Sequence, residues 1–285
     1  MSSSRVSLRR QLTNYFFTGL AAGLSVVVVG ALLAIFTYLV LKGAGALNWS
    51  FLTQAPKPVG ETGGGVANGI VGSMIILAIS SLMGVPVGIG AGVYLAEYGR
   101  GRFGNLVRFT ADTLNGVPSI VIGLVAYGLV ALPQGHFSAF SAGVALAIMM
   151  IPIVTRTTEQ MLVLVPQSVR EAAFGLGIPQ WRTTVSITLP SARAGIITGA
   201  MLAFARVAGE TAPLLLTALG NQFWNLNPSQ PIAALPLQIF TYAISPFDEW
   251  HRQAWAAALM LVILIVGTTT LVRFLFLRRM LGGAR

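Results

Sequence analysis

Five stretches of this chain carry no charged side chain: residues 11–41 (31 residues), 62–96 (35), 113–155 (43), 211–247 (37) and 253–272 (20). A helix crossing the hydrocarbon of a bilayer needs about 20 apolar residues, so each stretch can cross and the longest can cross twice. Only 9% of the 285 residues are charged and 55% are hydrophobic, whereas a soluble domain is roughly a quarter charged. The natural solvent for such a chain is lipid. With no cysteine and two histidines, disulfide scaffolds, thiol nucleophiles and thiolate metal sites are excluded, and a histidine metal centre is poorly supplied.

The formal net charge of +10 raises nucleic acid as a partner, but the positions of the charges argue against it. Fourteen of the eighteen Lys and Arg fall in four tracts: Arg5, Arg9 and Arg10; Arg100, Arg102 and Arg108; Arg156, Arg170, Arg182 and Arg193; and Arg273, Arg278, Arg279 and Arg285. Between them lie loops holding only Lys42, Lys57 and Arg252. This alternation is the positive-inside bias of a polytopic membrane protein. It predicts both termini in the cytoplasm, an even number of crossings and no nucleic-acid partner. The apolar run after Arg10 exceeds the roughly 7–15 residues of a secretory signal, so it is read as the first span.

Apolar runs bounded by Gly, Pro and charge predict an all-α polytopic protein with six transmembrane helices, at about 15–41, 67–95, 105–132, 138–158, 194–219 and 253–276. The 43-residue stretch holds two of them, separated by a turn at Leu132-Pro133-Gln134-Gly135-His136. Residues 15–280 then form one six-helix membrane domain, flanked by cytoplasmic tails at 1–14 and 281–285. The outer connectors at 42–66 and 220–252 are expected to carry short interfacial helices. Trp49, Tyr94, Tyr98, Trp224, Trp250 and Trp255 fall near span ends, where amphipathic rings favour the membrane boundary.

The stretch between spans four and five is the most informative. Ser168 followed by Glu171 has the spacing of a capping box, and Gly177 can take the left-handed conformation of a helix stop. A short helix at about 168–176 results, with Val169, Ala172, Ala173 and Leu176 on its apolar face and Phe174 to one side. Spacing alone allows either a plain surface connector or a docking helix for a cytoplasmic partner.

Glu171-Ala172-Ala173, then Gly177, then Ile187-x-Leu189-Pro190 resembles the EAA signature of permease subunits in ATP-binding-cassette (ABC) importers. Two more stretches narrow the resemblance: Asp112-Thr113-Leu114-Asn115-Gly116-Val117-Pro118-Ser119 and Arg206-Val207-Ala208-Gly209-Glu210-Thr211-Ala212-Pro213. Both resemble phosphate-importer permeases, and the second, continuing to Asn221-Gln222-Phe223-Trp224, points to the PstA branch of that family. The similarity runs from about residue 66 to the end.

The resemblance implies the transmembrane-domain fold of type I ABC importers in a bacterial or archaeal plasma membrane. It also implies an EAA coupling segment at about 166–190 that seats on an ATPase through Glu171, Ala172, Ala173, Phe174, Gly177 and Ile178. The implied partners are a homologous PstC-like permease, two PstB-like ATPase subunits, a PstS-like extracytoplasmic phosphate-binding protein, and membrane lipid. No Gly-x-x-x-x-Gly-Lys-Ser/Thr loop occurs in the sequence, so the chain is expected to be no enzyme and to bind no cofactor. ATP and Mg would be used by the partner ATPases.

The fifth predicted span also poses a physical problem. Arg206 falls about 12 residues into it, and an arginine at mid-membrane costs about 2.5–3.5 kcal/mol on insertion scales. Glu210, four residues on, shares its helical face and is expected to pair with it. That pair either locks the bundle or serves the anion's path, with the forked guanidinium binding phosphate and Glu210 restraining the hold. Gly209 is expected to admit a neighbouring helix, and Pro213 to bend the span. Asn115 and Ser119, beside the Gly116 and Pro118 breaks, are further pathway candidates. Asp112 is expected to pair with Arg108 one turn earlier, and Arg156 and Glu159 to be solvated at the cytoplasmic mouth.

Three other readings remain open on sequence. A permease for sulfate or molybdate would differ only in its lining residues. A secondary transporter would draw on an ion gradient. An intramembrane enzyme lacks a Ser-His pair or paired aspartates on the spans.

Overall fold

The computed structural model describes residues 8–58, 61 and 63–282, with side chains described for 9–58, 61 and 63–276. Arg5 and Arg285, with residues 1–7 and 283–285 of the expected tails, lie outside those residues, and the side chains of Arg278 and Arg279 lie outside those described. Charge-free apolar segments form long helices because a backbone in lipid must satisfy its own hydrogen bonds. In chain order the helices are α1 (Leu8–Gly43), α2 (Trp49–Thr53), α3 (Ala67–Val93), α4 (Arg102–Gly116), α5 (Ser119–Ala126), α6 (Leu132–Gln134), α7 (Ala139–Val163), α8 (Gln167–Gly175), α9 (Gln180–Thr183), α10 (Leu189–Ala208), α11 (Ala212–Thr217), α12 (Leu235–Ala243) and α13 (Asp248–Gly282). Among the described residues, three π-helical turns interrupt or extend them, at Tyr94–Tyr98, Tyr127–Ala131 and Thr184–Thr188. Among the described residues, the extended pairing is a single isolated bridge between Leu219 and Ile232.

Among the described residues, five helices are long and apolar enough to cross a membrane, and six spans result if α4 and the α5–α6 segment count as one. The count agrees with the sequence expectation, but the shape of the third span does not. Instead of one crossing over 105–132, the chain bends by 107° between Gly116 and Ser119. The cause is local: Val117, preceding a proline, is held extended (φ −70°, ψ 133°), and Pro118 follows in the same region (φ −56°, ψ 133°). The fifth span also differs. A helical run from Gln180 to Ala208 replaces the expected 194–219, and α11 restarts only after a break at Gly209–Thr211. The connectors carry the short helices expected of them. Asn48 caps α2 by accepting from the Phe51 N–H at 2.8 Å, and Gly135 (φ 73°) closes the turn before α7.

The spans differ sharply in burial. In α7, 67% of the span window is buried, against 0% for α1. Helix association in lipid depends on close packing rather than on water exclusion, and the glycines show where α7 achieves it. A Cβ at Gly88 would lie 2.6 Å from the Val154 Cβ, and one at Gly92 would lie 2.5 Å from the Thr158 Cβ. From the other side, Gly199 of α10 approaches Thr157 equally closely. Leu146, Met150 and Val154 of α7 enter one buried cluster with Ile76 of α3, Ile122 of α5 and Ala203 and Val207 of α10. The first span meets α13 instead, through the Tyr38–Trp255 edge contact at 5.3 Å between ring centroids.

Candidate functional site

The segment carrying the EAA signature forms an exposed helical turn beside the ends of α3 and α7. Its start differs from the capping-box expectation. Pro166 (φ −56°, ψ 139°) takes the cap position, and Ser168 lies inside the first turn with no side-chain cap, as the fixed φ of proline suits a helix entry. The stop matches the expectation. Gly177 has φ +76°, its N–H donates to the Phe174 carbonyl at 2.9 Å, and the Ile178 N–H reaches back to Ala173 at 3.1 Å. These two bonds make a Schellman motif. Ala173 is buried beneath it, whereas Glu171, Ala172 and Phe174 are exposed and Ile178 is half-buried. Leu176, at 81% exposure, and Trp181 extend the uncovered apolar surface.

Behind this surface, carboxylates and arginines close two networks. Glu97, at the end of the first π-helical turn, accepts from Arg170 of α8 through Nη2 at 2.9 Å and Nε at 3.3 Å. The same guanidinium donates to the carbonyls of Val165, just beyond α7, at 2.6 Å and of Leu162, in the last turn of α7, at 2.8 Å. In the second network Arg108 of α4 donates to Glu159 at 2.5 Å and to the carbonyls of Leu95 at 2.8 Å and Gly99 at 3.1 Å. Arg156 joins Glu159 at 2.6 Å and Asp112 at 2.9 Å.

These pairings correct two expectations and add one pair. Asp112 pairs with Arg156 rather than Arg108, because Arg108 is drawn to the carbonyl end of the second span. Glu159 is buried between two arginines rather than solvated, since α4 and α3 both pack over it. Glu97 and Arg170, 73 residues apart, were not singled out at all, and no local spacing signals their pairing.

The pathway candidates lie at the two helix breaks. Asn115 falls in the last turn of α4 and Ser119 opens α5; both are half-buried. Arg206 lies in the last turn of α10, not midway along its span, because the helical run begins at Gln180. A cation there is favoured by the carbonyl end of the helix dipole. The expected Arg206–Glu210 ion pair is absent. The helix stops at Ala208, Gly209 turns away (φ −92°, ψ 0°), and the Glu210 N–H closes a turn onto the Val207 carbonyl at 3.2 Å. The one-turn register that would face the two charges is therefore lost.

Gly209 admits no neighbouring helix either: its would-be Cβ finds only the Arg206 carbonyl, at 4.0 Å. The close approach is at Gly123, whose would-be Cβ lies 2.6 Å from the Pro213 Cα. This contact joins α5 to α11 within two turns of both breaks.

Among the described residues, the side chains of Asn115, Ser119, Arg206 and Glu210 have no hydrogen-bond or ion-pair partner. Arg206 is exposed and Glu210 half-buried. The site thus presents a forked cationic donor and uncommitted polar groups at backbone breaks, chemistry that can receive a tetrahedral oxyanion. No group of three or more His, Asp or Glu side chains that could hold a metal ion occurs among the described residues. Outside the spans, burial pushes the Tyr242 phenol on α12 up to about 12, so that group is uncharged.

The family described as binding-protein-dependent transport system inner membrane component matches residues 84–280. The chain is 46% identical over 241 residues to the phosphate transport system permease protein PstA of Yersinia pestis, covering 84% of this chain and 82% of that one. It is 42% identical over 285 residues to the protein of that name from Xylella fastidiosa, covering 97% of each. The methionine ABC transporter MetNI, solved in inward-facing conformations, contains a chain with a TM-score of 0.60 and 18% identity, covering 73% of this chain and 94% of that one. That likeness shows a shared type I importer transmembrane fold. The chain belongs to the binding-protein-dependent transport system inner membrane component family, and within it to the phosphate transport system permease proteins PstA.

Proposed function

We propose that this chain forms half of the transmembrane pathway of an ATP-driven phosphate importer, with Arg206 as its anion-binding side chain. The observation that carries the reading is the uncommitted guanidinium of Arg206 at the break between α10 and α11, in a chain whose relatives bear the name of phosphate transport permeases. An arginine is costly to keep in a membrane protein without a partner, and a passing phosphate supplies that partner transiently. Asn115 and Ser119 line the same path. Glu210, close in sequence but not paired, sets a negative charge that limits how long the anion stays.

The energy comes from two PstB-like ATPase subunits that bind ATP with Mg and seat on Glu171, Ala172, Ala173, Phe174, Gly177 and Ile178. A PstC-like permease completes the pathway, and a PstS-like binding protein delivers phosphate on the far side. The arginine tracts support an orientation in which both termini and α8 face the cytoplasm of a bacterial or archaeal cell. ATP-driven closure of the ATPase pair moves α8 and turns the spans outward, and hydrolysis resets them. Residues 15–280 act as a single domain in this cycle.

The test is to purify the chain with the products of its genomic neighbours and record ATPase rates with binding protein loaded with phosphate, sulfate or molybdate. Phosphate-selective stimulation is the expected result. Stimulation by another oxyanion would reassign the substrate, and failure to recruit an ATPase would point to an ion-driven carrier.

A further inference from the structure

The Arg170–Glu97 pair lies behind the docking surface and away from the breaks, yet it is the most deeply buried ion pair among the described residues, with side chains 11% and 6% exposed. Taking two charges out of water is expensive unless geometry and further hydrogen bonds compensate, and here they do. Arg170 directs Nε and Nη2 to the Glu97 carboxylate, Nη1 to the Val165 carbonyl just beyond α7 and Nη2 also to the Leu162 carbonyl in its last turn. On the far side of the Gly177 turn, Gln180 donates to the Glu97 carbonyl at 2.9 Å. Glu97 is therefore gripped from both ends of the segment that carries the EAA signature.

This arrangement has a mechanical consequence. Pulling α8 away from the second span would strand a buried carboxylate and a buried guanidinium, whereas Leu176, just past the end of α8, is 81% exposed. The second span is in turn set against α7 by the close approaches at Gly88 and Gly92. A displacement of α8 reaches the end of α7 through the Leu162 and Val165 carbonyls, and it reaches the second span through this pair.

We propose that Arg170 and Glu97 form the joint that carries movement of the coupling segment into the second span, and that they are positioning residues for transport rather than part of the ATPase contact. The inference rests on the reading of α8 as the surface on which the ATPase seats.

The test uses the whole importer in proteoliposomes with phosphate-loaded binding protein, and measures phosphate taken up per ATP hydrolysed together with the amount of ATPase subunit that co-purifies. Arg170→Ala and Glu97→Gln should keep the ATPase bound and hydrolysing. Uptake per ATP should fall about tenfold or more, as expected when a buried pair loses one member. Arg170→Lys, which keeps the charge but not the fork, should recover part of it. An unchanged uptake-to-ATP ratio in both variants would overturn the joint. So would loss of the ATPase from both complexes, since the pair would then merely shape the docking surface. Leu176→Asp separates the two readings: if the ATPase remains bound and stimulated in that variant, the docking role of α8 fails whatever the pair does.

Discussion

Arg108, Arg156 and Arg170 each meet a carboxylate within 2.9 Å, whereas Arg206 meets none among the described residues. The three paired guanidiniums cluster where the second, third and fourth spans converge, and Arg108 and Arg170 also donate to backbone carbonyls at the ends of neighbouring spans. The lone one stands at the end of α10 with its donors free. An arginine whose donors are filled holds structure together, and one whose donors are empty is available to a ligand. The comparison thus assigns opposite consequences to the same kind of substitution in the two regions.

The sharpest way to break it is Arg206→Ala. Uptake should fall about 100-fold or more, equivalent to losing one or two charge-assisted bonds, while complex yield and melting temperature stay at the native value. A stability loss with uptake preserved would reverse the assignment. The mirror experiment is Glu159→Ala, which leaves Arg108 and Arg156 without their buried carboxylate. It should cost up to about 3 kcal/mol of stability, seen as a lowered melting temperature of the detergent-solubilised protein.

A third substitution tests the coupling surface. Gly177→Asp places a side chain at φ +76° and weakens the Schellman stop, so ATPase stimulation by loaded binding protein should drop about tenfold. Normal stimulation would count against docking at this turn. The smallest effect is expected at Glu210. Because it forms no ion pair with Arg206, Glu210→Gln should alter the uptake KM by about threefold or less, within the range of an unpaired surface charge. A collapse as deep as that of Arg206→Ala would show that the two charges act as one unit.

Much of the fold was legible because lipid imposes a simple rule on the backbone, and the charge-free stretches count the spans. Gly177 likewise marked the stop of α8 through local chemistry, whereas its start is set by Pro166 and not by the Ser168–Glu171 capping box. The pairings Arg108–Glu159, Arg156–Asp112 and Arg170–Glu97 were not legible. They depend on which helix ends meet in space, and nothing at a spacing of one turn encodes that. Arg206 and Glu210 failed in the opposite way: their spacing invited a pair, but the helix ends between them, at Ala208 and Gly209. Pro118 signalled a break in the third span, though not that two extended residues would open it to 107°.

The π-helical turn at Thr184–Thr188 acts like a dislocation in a crystal row. It inserts one extra residue into the run between the docking segment and Arg206, and each residue of an α-helix advances the direction of its side chain by about 100°. A helical wheel drawn from Gln180 without that fault would turn Arg206 about a quarter of a revolution from its true heading. Cross-linking or labelling sites on the fifth span should therefore be numbered from Leu189 onward.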